Sequence, residues 1–161
     1  MLGAIDLAVL RAFRTRGHTP ARERAARAFS QLGEQGMVWF GVCAAGALAD
    51  RSSRRAYGKA AVTVLATYGL NQLIKVSVRR PRPRIDDLPP LTSTLTGLSY
   101  PSAHAATSFA GARMLSSALP AAPLYALAVG LCLSRVYLGV HYPTDIVAGA
   151  ALGSSVAELV S

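Results

Sequence analysis

The sequence predicts an all-α, integral-membrane helical bundle of about five transmembrane helices, with an N-terminal interfacial amphipathic helix. Three observations carry this. Hydrophobic residues make up 52% of the 161 residues and charged residues only 16%, against about one quarter charged in an average soluble domain. The basic residues are grouped: 11–27, 51–59 and 75–84 hold every Lys and Arg except Arg113 and Arg135, and long apolar stretches separate the groups. Those stretches are rich in Gly, Ala and Ser, which permit close helix packing in lipid. The length is that of one domain. Residues 1–161 are therefore read as a single unit, with 1–28 an interfacial segment and 29–161 the bundle.

Residues 2–13 read as a short amphipathic helix, with Leu2, Ile5, Val9, Leu10 and Phe13 at helical spacing. Residues 14–28 are polar and Arg-rich, too charged to cross a bilayer, and are placed on the membrane surface. The first expected span is Phe29–Ala49, ended by the Arg51, Arg54, Arg55 cluster. Ala56–Val78, Ala103–Leu119, Ala121–Val140 and Thr144–Val160 are the other four. Leu119-Pro-Ala-Ala-Pro123 reads as a tight turn between two of them. The connection 79–102, with five prolines and a Ser/Thr run, cannot face lipid inside the bilayer and must lie at the surface or cover a cavity.

The net charge of +9 points to anionic membrane lipids as partners. Nucleic acid is not an expected partner: the chain lacks a helix-turn-helix, a zinc finger and an aromatic-interleaved basic face. Cys43 and Cys132 each lie in an apolar run and read as small buried hydrophobes, with no metal or disulfide spacing. No cleavable signal peptide is expected, because the first apolar stretch is short and contains Asp6.

Alternation of the spans brings three polar groups to one membrane face. The first is Lys75 to Arg82-Pro83, in which Arg82 sits between two prolines that stiffen its backbone. The second is Pro101-Ser102-Ala103-His104. Ser102 is placed to cap a helix whose free N–H groups and partial positive charge favour an anion. The third is Ser134-Arg135 through His141 to Asp145. An arginine at the end of an apolar span is costly without a partner. Pro143 starts the last helix, so Asp145 falls in its first turn within reach of His141. A carboxylate that accepts from one imidazole nitrogen leaves the other free as a nucleophile.

Together these groups resemble the signature of the type 2 phosphatidic acid phosphatase family: Lys-x6-Arg-Pro, Pro-Ser-x-His, and Ser-Arg-x5-His-x3-Asp. Order and internal spacings agree over roughly residues 56–160, with Ala103 standing where the family most often has Gly. The resemblance implies a membrane lipid-phosphate phosphatase that works without a metal or other cofactor. His141 would be the nucleophile that becomes phosphohistidine, Asp145 its orienting carboxylate, and His104 the acid for the leaving group. Lys75, Arg82, Ser102, Ala103 and Arg135 would bind the phosphate. The short, Ala- and Arg-rich chain also resembles the small actinobacterial members of the family, and that resemblance implies a polyprenyl-linked substrate such as decaprenylphosphoryl-5-phosphoribose. Undecaprenyl diphosphate, phosphatidic acid and phosphatidylglycerol phosphate are the alternatives, and a non-catalytic lipid-binding protein is the alternative of another class. The expected location is the plasma membrane, multi-pass. The arginines of 1–28 share the face of the site, and the positive-inside bias then makes that face cytoplasmic.

Overall fold

A computed structural model describes residues 2–161. Its helices are α1 (Leu2–Thr15), α2 (Pro20–Leu32), α3 (Met37–Ala49), α4 (Arg54–Val78), α5 (Ala103–Leu115), α6 (Ala121–Tyr137) and α7 (Pro143–Val160). Helix α5 is the central post. It packs on α4, α6 and α7, and nearly every residue from His104 to Leu115 is buried. The α5–α7 contact is close because α7 presents small residues there. A Cβ added at Gly153 would lie 2.0 Å from the Ala106 carbonyl oxygen, and one at Gly149 would lie 2.4 Å from the Ser102 carbonyl oxygen.

Helix α4 is polar on its inner side and apolar outside. Thr63, Thr67, Asn71 and Lys75, spaced one turn apart on a single face, are buried against the bundle. Val62, Leu65, Leu73 and Val76 point outward, as do Val129 and Leu133 of α6 and Val147 of α7. Apolar side chains turned outward while a polar stripe is buried suit a lipid environment better than water.

The expected spans meet the structure unevenly. Among the described residues no helix is both long and apolar enough to cross a membrane. Helices α3 and α5 have 13 residues each, or about 20 Å at 1.5 Å per residue, short of a hydrocarbon layer of about 30 Å. Helix α4 has 25 residues but carries the polar stripe. The expected first span, 29–49, is broken in two. Helix α2 ends at Gly33, Gln35 takes φ 51° and Gly36 φ 80°, and a separate α3 begins at Met37. Gly33 permits the break to press on the site: a Cβ there would lie 2.8 Å from the His104 ring.

Residues 14–28, expected as a polar surface segment, hold the end of α1 and most of α2. Thr19 caps α2, accepting from the Arg22 N–H at 3.2 Å, and Pro20 opens the helix. Most of the hydrophobic pattern of α1 faces outward, and Leu10 alone of its described side chains turns in. Asp6, Leu10 and Arg14 are buried, while Ile5, Val9 and Phe13 are exposed. The polar groups win the inner face because they find partners there, and the apolar side is left outward, where an interfacial helix meets lipid. Leu2, the first residue of that pattern, has its side chain outside the described residues.

Candidate active site

The site forms at the end of the bundle where α4 finishes, α5 starts and α6 gives way to α7. Lys75, on the last inward turn of α4, donates from Nζ to the Pro101 carbonyl at 3.0 Å. Asn71, one turn earlier, donates to the same carbonyl at 3.2 Å. The loop 79–102 folds back over this end. Arg82 donates from Nε to Thr96 O at 2.8 Å and from Nη1 to Val140 O at 2.7 Å. Its guanidinium is thus held on both sides by backbone. Burial and the nearby Arg135 push the Arg82 pKa down to about 10, so it remains a cation at neutral pH.

Ser102 caps α5 as the sequence expects, its hydroxyl accepting from the Ala105 N–H at 3.5 Å. The chain then enters the first turn with His104 buried. The His104 Nε2–H donates to Ser30 O at 3.0 Å, and the Glu34 carboxylate lies 4.0 Å from the same nitrogen. Arg135, near the end of α6, is 4% exposed and donates to the Ser30 hydroxyl at 2.7 Å. Its Nε has no hydrogen-bond partner.

His141 lies in the turn between α6 and α7. An Arg82 Nη1–H donates to its Nε2 at 3.1 Å. A nitrogen that accepts from a guanidinium carries a lone pair, so the imidazole proton belongs on Nδ1. The Asp145 carboxylate stands 3.5 Å from that Nδ1. Burial first, then the charges of Arg82, Arg135 and Lys75, hold the His141 pKa well below the ordinary imidazole value. A neutral ring with a bare Nε2 is the nucleophilic form.

Asp145 is anchored from behind. One oxygen accepts from the Tyr142 N–H at 2.9 Å and the other from Arg80 Nη1 at 2.9 Å. Arg80 also pairs with Asp6 of α1 at 2.7 Å and lies over the Tyr142 ring, 4.1 Å from its centroid. Asp6 accepts from the Thr144 N–H at 3.0 Å as well. Burial opposes ionisation of Asp6, but the Thr144 and Arg80 hydrogen bonds outweigh it and hold its pKa below the usual carboxylate range. Burial likewise opposes the Arg80 charge, and the bond to Asp6 and the charge of Asp145 outweigh it.

Lys75, Arg82, His104, Arg135 and His141 line one cavity of about 50 Å³. The residues the sequence singles out from three distant segments are therefore neighbours in space. Ser102 and Ala103 are not among the lining residues: Ser102 is fully buried and occupied as the helix cap. Glu34, Asn71 and Arg80 escaped the sequence reading. Nothing local in the sequence marks Glu34, Asn71 or Arg80 as belonging here. The sequence signal nearest to them is the Thr19-Pro20 start of α2, the helix that carries Ser30 to His104.

The model of the PAP2 superfamily matches residues 56–161, from the start of α4 to the end of the chain. The chain belongs to the PAP2 superfamily. A decaprenylphosphoryl-5-phosphoribose phosphatase of Mycolicibacterium smegmatis is 40% identical over 126 residues, covering 77% of this chain and 69% of the relative. The crystal structure of a transmembrane PAP2-type phosphatidylglycerolphosphate phosphatase from Bacillus subtilis superposes with TM-score 0.78 at 26% identity, covering 98% of this chain and 83% of that one. The crystal structure of Aquifex aeolicus LpxE superposes with TM-score 0.79 at 23% identity, covering 97% and 94%, a likeness of fold. This PAP2 protein is a phosphatase, and its outward apolar side chains agree with membrane association.

Proposed function

We propose that this PAP2 phosphatase removes the terminal phosphate of a polyprenyl-linked sugar phosphate of the decaprenylphosphoryl-5-phosphoribose type, through a phosphohistidine on His141. The observation that carries the reading is the unprotonated Nε2 of His141, which accepts from Arg82 at 3.1 Å in a cavity shared with Lys75, His104 and Arg135. Nε2 attacks phosphorus and forms the P–N bond as the P–O bond to the lipid-linked sugar breaks. His104, in its protonated form, gives its proton to the departing oxygen. Water then attacks phosphorus, the P–N bond breaks, and His104 takes the water's proton. Asp145 keeps the His141 proton on Nδ1 and stabilises the charge that the ring acquires.

Lys75, Arg82 and Arg135 hold the non-bridging oxygens, where the transition-state charge is spread. Ser102 and the Ala103 N–H serve the phosphate from the α5 N-terminus. Their place beside the cavity, rather than in its lining, makes theirs the lesser contribution. The three cations supply the charge neutralisation that metal ions supply in many phosphoryl transferases, so added chelator should leave turnover unchanged. The chain is multi-pass in the plasma membrane with the site at the cytoplasmic face. Docking of the Arg-rich α1 and α2 on the site end of the bundle supports that orientation.

The deciding experiment is phosphate release by purified protein across a panel of lipid phosphates. Decaprenylphosphoryl-5-phosphoribose should turn over best. A stronger preference for phosphatidic acid, undecaprenyl diphosphate or phosphatidylglycerol phosphate would overturn the substrate. For orientation, Pro90→Cys should resist an impermeant thiol reagent in whole cells; ready labelling would reverse the face.

A further inference from the structure

Beside the phosphate cavity lies a second, larger one of about 290 Å³. The two share Glu34, Thr94, Leu95 and Arg135 as common lining. The outer cavity adds Arg27 and Gln31 of α2, and Thr92 and Ser93 of the loop. Its character differs from a lipid groove: apart from Leu95, every lining side chain is charged, a hydroxyl or an amide. The walls also come from different parts of the chain. The phosphate-handling residues all fall within residues 56–161, which the family model covers, whereas Arg27, Ser30, Gln31 and Glu34 lie before them.

We propose that this outer cavity is a binding subsite for the sugar and its phosphodiester, the polar segment that joins the scissile phosphate to the prenyl chain. The inference rests on the proposed lipid sugar-phosphate activity and names the residues that select for it. The chemistry fits in sequence along the substrate. With the terminal phosphate in the inner cavity, the next group outward is a hydroxyl-bearing ring. Gln31, Thr92 and Thr94 offer both donors and acceptors for hydroxyls. Beyond the ring comes a singly charged phosphodiester, and Arg27 is the cation on that wall. One Arg27 nitrogen donates to Leu91 O at 2.9 Å, fixing α2 to the loop. A guanidinium has five N–H donors, so the remaining ones serve an anion in the planar geometry suited to it. A simple prenyl monophosphate has nothing to put in this space and leaves its polar walls to water.

The test compares two substrates in the same micelles, decaprenylphosphoryl-5-phosphoribose and decaprenyl monophosphate. Arg27→Gln should raise KM for the sugar-containing lipid about tenfold, the effect of about 1.4 kcal/mol, and shift KM for the monophosphate less than twofold. Gln31→Ala, an exposed position with no role in holding α2, should raise KM several-fold with the same selectivity and guards against misfolding of the first variant. Arg24→Gln, a charge loss on the same helix away from the cavity, controls for general electrostatics and should leave the ratio unchanged. Equal KM rises for both substrates, or no rise in either variant, would overturn the subsite while leaving the phosphatase reading standing. A wild-type protein inactive on both lipids would overturn the two together.

Discussion

Replacing Asp145 with Asn removes one charge and almost no volume. In the wild type one Asp145 oxygen stands 3.5 Å from His141 Nδ1. Two unit charges at that distance attract by about 5 kcal/mol at the effective dielectric of about 20 suited to protein sites. That attraction is realised as His141 becomes cationic, on forming the P–N bond. Arg80, bound to the other oxygen at 2.9 Å, draws off part of it, so a loss of about 4 kcal/mol is the better figure. At about 1.4 kcal/mol per decade this is roughly a 10³-fold fall in kcat. The amide adds a second penalty in the same direction. If its oxygen keeps the Arg80 bond, its NH2 faces the Nδ1–H, and the proton is driven to Nε2, the nitrogen that must attack. KM should move less than about threefold, because Asp145 does not line the phosphate cavity. The assay is phosphate release at saturating substrate, with the melting temperature followed in the same detergent. A variant that melts within a few degrees of wild type and keeps more than a tenth of its kcat would refute the placement of Asp145 behind the nucleophile.

Other outcomes follow from the same geometry. His141→Gln should abolish turnover and the acid-labile phosphoenzyme while the protein stays folded, and vanadate should inhibit the wild type; indifference to vanadate would count against the cavity. Arg80→Gln and Asp6→Asn both loosen the support of Asp145 and should lower kcat about 10- to 100-fold with little change in KM, whereas a KM effect alone would place Arg80 on the substrate. The His141 pKa is depressed on folding, so the unfolded chain binds a proton more readily. Stability present above the unfolded value of about 6.5 should fall as pH drops below it, and a pH–melting curve of His141→Gln should lack that component. Gly153→Ala forces a methyl onto the Ala106 carbonyl and should cost about 1–3 kcal/mol. Gly58→Ala, in open space on α4, should instead stabilise by up to about 1 kcal/mol, and the two melting temperatures separate packing from helix propensity.

The residue types proposed for catalysis, and their spacing, are legible in the sequence alone. Pro143 and the Asp145 behind it, Ser102 before α5, and Arg82 between prolines are local rules of backbone and capping, and local rules act on neighbours in sequence. The same holds for helices α4 to α7, whose starts fall where the sequence places them within two residues. The single span expected over Phe29–Ala49 is instead two helices, α2 and α3, parted at Gly33 to Gly36. On α1 and α4 the buried side includes polar groups that find partners elsewhere in the chain, whereas α3 and α6 bury Trp39, Leu124 and Leu131 in an apolar core.

What tertiary structure alone decided is which further polar groups join the site. Asp6 reaches Arg80 across 74 residues and Glu34 approaches His104 across 70. Neither carboxylate has a signature, because its meaning comes from a partner on another helix. The sequence by itself determined the groups proposed to react, through short-range spacing that any fold must respect. Their support, and the polar chamber next to them, came from how α1 and α2 dock on the end of the bundle. Such docking depends on burial and pairing summed over the whole molecule, which no local pattern encodes.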